Sequence, residues 1–110
     1  MNPFIDVVAF SDIGGGDYRA SLTINDPRTG KMMLHNVFSV FGAAITANLT
    51  LELVRNGLTI SLDTSSLSAA TQDQFLPTYV VPIVAGDTIR VTVDAAPHAN
   101  SRVMFVCSER

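Results

Sequence analysis

His35 and His98 are the only imidazoles in the chain, and they stand 63 residues apart. A metal site built on a strand wants two histidines two residues apart with a glutamate close behind. Neither histidine here has a His or Glu within four positions. No metal ligand and no cofactor is therefore expected. Cys107 is the single cysteine and lies among Val103, Met104, Phe105 and Val106. Burial in such a stretch raises a thiol pKa and removes the reactive thiolate. No G-x-S-x-G elbow occurs. The two glutamates, Glu52 and Glu109, and the scattered aspartates nominate no acid/base pair. Catalysis is not expected.

Three weaker signals read as ordinary structure. Asp12-Ile13-Gly14-Gly15-Gly16-Asp17 offers carboxylates and free carbonyls to a cation, but not at the spacing of an EF-hand loop. The same glycines lack the following helix and lysine that a phosphate cradle needs. Asn48-Leu49-Thr50 is formally a glycosylation sequon and reads as two polar strand positions.

What must position these residues is a chain of 110 residues, enough for one modest core and one domain, 1–110. Apolar residues make up 47% of it and charged residues only 15%, against about 25% in an ordinary soluble domain. That composition excludes disorder and implies a sparsely charged surface. Seven basic and ten acidic residues give a net charge of −3, with Lys31 the only lysine. Nucleic acid is an unsuitable partner, because binding it takes clustered cations. No apolar run approaches the roughly 18 residues of a membrane span, and Asp6 interrupts the one near the start, so no signal peptide is read there.

Strand signatures run almost throughout. Ile45, Ala47, Leu49, Leu51 and Leu53 alternate with polar residues up to Asn56-Gly57, a two-residue hairpin signal, and Leu58, Ile60 and Leu62 alternate on the way back. Tyr18, Ala20, Leu22 and Ile24 form another alternating face that runs into the Asp26-Pro27-Arg28-Thr29-Gly30 turn. Further strands are expected over Pro3–Phe10, Lys31–Phe41, Tyr79–Val84, Thr88–Asp94 and Arg102–Ser108. Ser65–Phe75 is the one candidate for a short helix and fits a surface loop equally well. About eight short strands with frequent turns predict an all-β, antiparallel β-sandwich of the jelly-roll type.

Outward sheet faces should be polar, yet Lys31–Phe41, Tyr79–Val84 and Arg102–Ser108 are apolar on both faces. A monomer avoids such patches, so a homo-oligomer is expected, with Phe38, Val40, Tyr79, Val81, Val103 and Phe105 as candidate interface residues. The odd cysteine count leaves Cys107 open to a buried role or an interchain disulfide.

The order of turn signals resembles the C1q/TNF-like jelly roll over roughly residues 18 to 107. It is carried by Asp26-Pro27-Arg28-Thr29-Gly30-Lys31, then Leu51-Glu52-Leu53-Val54-Arg55-Asn56-Gly57, then Ala85-Gly86-Asp87-Thr88-Ile89-Arg90-Val91 and a terminal apolar strand. The chain departs from that pattern in its shortness, in having Asn36-Val37-Phe38 where an aromatic-Gly-Tyr stretch would follow, and in lacking a collagen-like repeat. The resemblance implies a trimer formed through one apolar sheet. Compact, lysine-poor, Thr- and Ala-rich chains also resemble bacteriophage virion components, decoration (cement) proteins and fibre tips among them.

The function expected from this is structural: a homotrimer that decorates a phage capsid, made in the host cytoplasm and located on the virion surface. Its partners would be itself and the major capsid protein shell, with no nucleic acid and no membrane. The segment 1–10 is either a free arm, with Phe4, Ile5, Val7 and Val8 as candidate capsid contacts, or the first strand of the sandwich. The alternative function is a receptor- or glycan-binding tip of a phage fibre, although two tyrosines and no tryptophan offer little stacking surface.

Overall fold

Alternation of apolar and polar residues builds eight β-strands, seen in a computed structural model that describes residues 3–25, 32–75 and 81–109. They are β1 (Pro3–Ala9), β2 (Ser11–Gly14), β3 (Asp17–Thr23), β4 (Met32–Arg55), β5 (Leu58–Phe75), β6 (Val81–Ile83), β7 (Thr88–Val93) and β8 (Arg102–Glu109). The expected Asp26–Gly30 turn and Tyr79 lie outside the described residues. No helix forms among those described.

All strand pairs are antiparallel, and two long strands are shared between two sheets. The first half of β4 pairs with β8, which pairs with β1, and on its other side with the end of β5 and with β6. The second half of β4 pairs with β7, then β3, then β2, and on its other side with the start of β5. Strand β3 also packs on β1 and β8, with which it shares no hydrogen bonds. The result is an eight-stranded antiparallel jelly roll in which β4 and β5 each turn the corner from one sheet to the other.

Two expectations change here. The sequence pattern predicts separate strands over Lys31–Phe41 and Ile45–Arg55, whereas Met32–Arg55 is one continuous strand with register shifts between Val40 and Ile45 and between Ile45 and Ala47. Ser65–Phe75 is neither helix nor loop but the far half of β5. Its polar composition reflects an edge position, where only one side is paired and few side chains are buried. The Asn56-Gly57 hairpin forms as expected, with φ of 53° and 76°, the pair of positive angles a two-residue turn requires.

The core lies between the sheets. Leu34, Val37, Val103, Phe105 and Cys107 from the first sheet meet Ala20, Leu49, Leu51, Ile89, Val91 and Val93 from the second, all buried. Phe10 stacks on Phe41 at the corner, with centroids 5.8 Å apart. Close approach sets the residue type at Gly42: an added Cβ would lie 2.5 Å from His98 Nδ1 and 3.1 Å from Asn100 Cβ. The Gly42 N–H also donates to the Ser101 hydroxyl at 3.1 Å, tying the corner to the turn before β8. Gly42→Val should therefore cost about 1–3 kcal/mol by overpacking. Chemical denaturation should show that cost, with part of it recovered in the His98→Ala background.

Candidate functional site

Register decides which apolar side chains face the core and which face out. Directly opposed residues share a face, and the first sheet's inner rows are Val8, Val103, Ser39 and Asp73, then Asp6, Phe105, Val37 and Phe75. Its outer rows are Val7, Met104, Phe38 and Gln74, then Ile5, Val106 and Asn36, then Ala9, Arg102, Val40 and Gln72. The outer face is thus apolar across β1, β8 and β4 and turns polar at β5. Ile5 is 62% exposed, Val7 59% and Val40 45%, while Phe38, Met104 and Val106 are half-buried.

This placement sorts the expected interface residues. Phe38 and Val40 lie on the outer face. Val103 and Phe105 do not: both are fully buried between the sheets, and a partner cannot reach them without opening the fold. Val81 is half-buried against the core on the short strand β6, so it belongs to packing. The outward residues of β8 are Met104 and Val106, which sequence reasoning missed because alternation carries no parity when both faces are apolar.

The segment proposed as an arm is a strand, pairing with β8 over seven residues from Pro3↔Ser108 to Ala9↔Arg102. Ile5 and Val7 face out beside Val106 and Met104, whereas Val8 is half-buried against the core. The Phe4 side chain lies outside the described residues. Ile5 and Val7 therefore continue the apolar face built by Met104, Val106, Phe38 and Val40. The structure joins two sets of residues that sequence reasoning kept apart.

At the polar end lies a shallow depression of about 230 Å³, lined by Phe38, Gln72, Asp73 and Gln74. The Gln74 carboxamide donates to Asn36 Oδ1 at 3.3 Å, which orients it beside the Phe38 ring. The Asp73 carboxylate points the other way and accepts from the Ser65 hydroxyl at 3.1 Å.

His35, His98, Cys107 and Asp12 are scattered over the fold. His35 bonds to the buried Ser108 hydroxyl at a register shift of β4, and His98 packs at the Gly42 corner. Cys107 is buried, and that burial, with some help from the Asp6 charge, pushes its thiol up to about 11. Asp12 Oδ1 accepts from the Gly14 N–H at 2.8 Å, a local turn bond. Among the described residues no group of three or more His, Cys, Asp or Glu could hold a metal ion.

The ion pair with structural weight is Arg55–Asp87. Asp87 is 1% exposed and accepts from Arg55 at 2.9 Å and 2.7 Å and from the Val84 N–H at 2.9 Å. The Arg55 hydrogen bonds, more than offsetting burial, hold the Asp87 carboxyl below the usual carboxylate range. Asp87 thus closes the Ala85-Gly86 turn from within and fastens it to the end of β4.

No family model and no curated protein matches the chain. Solved structures similar to it include the following two. One is a CBM61 carbohydrate-binding module in complex with β-1,4-galactotriose, with 11% identity and a TM-score of 0.46, covering 86% of this chain and 63% of that one. The other is a CBM4 structure, with 7% identity and a TM-score of 0.30, covering 96% of this chain and 94% of that one. The chain thus spans less than two-thirds of the first. Its identification as a jelly roll follows from its own strand pairing.

Proposed function

We propose that the protein is a non-enzymatic structural module that assembles through the outer face of its first sheet, as a homotrimer that decorates a preassembled phage head shell. The observation that carries this reading is the continuous apolar surface formed by Ile5, Val7, Phe38, Val40, Met104 and Val106. Contiguous exposed apolar surface is a mark of interaction sites. Ile5 and Val7, each about three-fifths exposed, would contribute roughly 1–2 kcal/mol apiece on burial, from the 1.5–3 kcal/mol of a fully buried side chain. A sparse surface charge and an inert thiol fit an assembly role better than a catalytic one. Three linked copies would also present each shell contact three times and raise avidity without new chemistry.

The test is rebinding to purified shells stripped of their surface proteins. The wild type should cosediment with the shells, and a Val7→Glu variant that fails to trimerise should bind at least tenfold more weakly. A folded trimer that never cosediments would contradict the decoration role and leave only self-assembly. A second reading, a receptor- or glycan-binding tip, is favoured by the depression beside Phe38 at the polar end of the same face.

A further inference from the structure

We infer that the depression lined by Phe38, Gln72, Asp73 and Gln74 binds the ring of a neutral sugar; this rests on the second reading above and locates it. Three observations carry it. Phe38 is half-buried and lines the depression, and an aromatic ring can pack against the C–H side of a pyranose. Gln72 and Gln74 stand two residues apart on the outward side of β5, roughly 7 Å from one another along the strand. Each carboxamide offers both a donor and an acceptor, the combination that adjacent sugar hydroxyls require. Gln74 is also held in place by its bond to Asn36, so part of the ordering cost is already met before a ligand arrives.

Size and charge narrow the ligand. At about 230 Å³ the depression falls below the 300–1,000 Å³ of drug-sized sites, which suits one ring of a longer glycan. The protein carries a net charge of −3, so an anionic sugar is disfavoured. The cation in the neighbouring row, Arg102, is turned away, its guanidinium donating to the carbonyls of Ala99 and Ser101 at 3.0 Å and 2.7 Å.

The experiment is titration of the wild-type protein with lactose, cellotriose and galactotriose, followed by amide resonances. Sialyllactose serves as the charged probe and glycerol as the control for any polyol. Saturable shifts centred on Phe38, Gln72 and Gln74 are expected with at least one neutral probe, with a dissociation constant on the order of 0.1–1 mM for so open a site. Gln74→Leu and Gln72→Leu should each weaken binding at least tenfold without changing fold or oligomeric mass. No saturable shift at tens of millimolar sugar, equal response to glycerol, or shifts centred elsewhere would each overturn the site. Equal binding of sialyllactose would overturn its restriction to neutral ligands. Phe38 belongs to both the apolar face and the depression, so the two readings compete for it: a monomer that binds sugar removes the assembly reading, and a trimer that ignores every probe removes this one.

Discussion

Phe105→Asp will unfold the chain, whereas Val106→Asp will leave it folded and break its assembly. The two residues are neighbours on β8 with opposite parity. Phe105 is fully buried in the row of Asp6, Val37 and Phe75, and Val106 shares the outer row of Ile5 and Asn36. A carboxylate at 105 would lose the ring, itself worth about 3–5 kcal/mol in a core. It would also bury an unpaired charge, at several kcal/mol more. Domains of this size typically have only about 5–15 kcal/mol in hand. At 106 the same carboxylate reaches solvent in the monomer and meets an apolar partner only in the assembly. Thermal melting should show no cooperative transition for Phe105→Asp. For Val106→Asp it should show a transition that no longer depends on protein concentration.

The second large effect lies at the Arg55–Asp87 pair. Arg55→Ala should cost about 3–5 kcal/mol, because it leaves the Asp87 carboxylate buried with the Val84 N–H as its remaining donor. Asp87→Ala should cost less, about 2–3 kcal/mol, since the surviving Arg55 side chain is 39% exposed and can hydrate. The pH dependence follows from the sign of the shift. Asp87 has a folded pKa below its unfolded value of about 3.9, so its contribution is present above that pH and is lost as pH falls through the folded pKa. The stability gap between wild type and Asp87→Asn, measured by urea unfolding, should therefore be constant near neutrality and narrow below about pH 4. A gap that widens on acidification would show that Asp87 does not carry the pair.

Much of this fold could be read from alternation and turn chemistry. Leu49, Leu51 and Leu53 announce a half-buried strand, and Asn56-Gly57 announces its return, because both signals are local. The continuity of β4 could not be read, since Gly42-Ala43-Ala44 looks like a break and is in fact the corner where one strand changes sheets. The far half of β5 was hidden for a related reason. Along Ser65–Phe75 only Leu67 and Phe75 are buried, so an edge strand has the composition of a loop. The outer face itself was half legible. Apolar residues on both sides of Arg102–Ser108 pointed to a partner, but which side was free depended on pairing with β1 and β4. Asp6 even misleads: it shares the inner row with Phe105, tolerated because β1 is an edge strand and its carboxylate stays exposed. Asp87, a turn residue in sequence, gains its weight only from Arg55, 32 positions away.

The most direct measurement of the central claim is the mass in solution, by light scattering at micromolar concentration, of the wild type beside Val106→Asp. The account predicts three times the chain mass of 11.8 kDa for the wild type and a single chain mass for the variant. A wild type that runs as one chain, or a Val106→Asp protein that remains a trimer, would contradict the assignment of this face as the assembly surface.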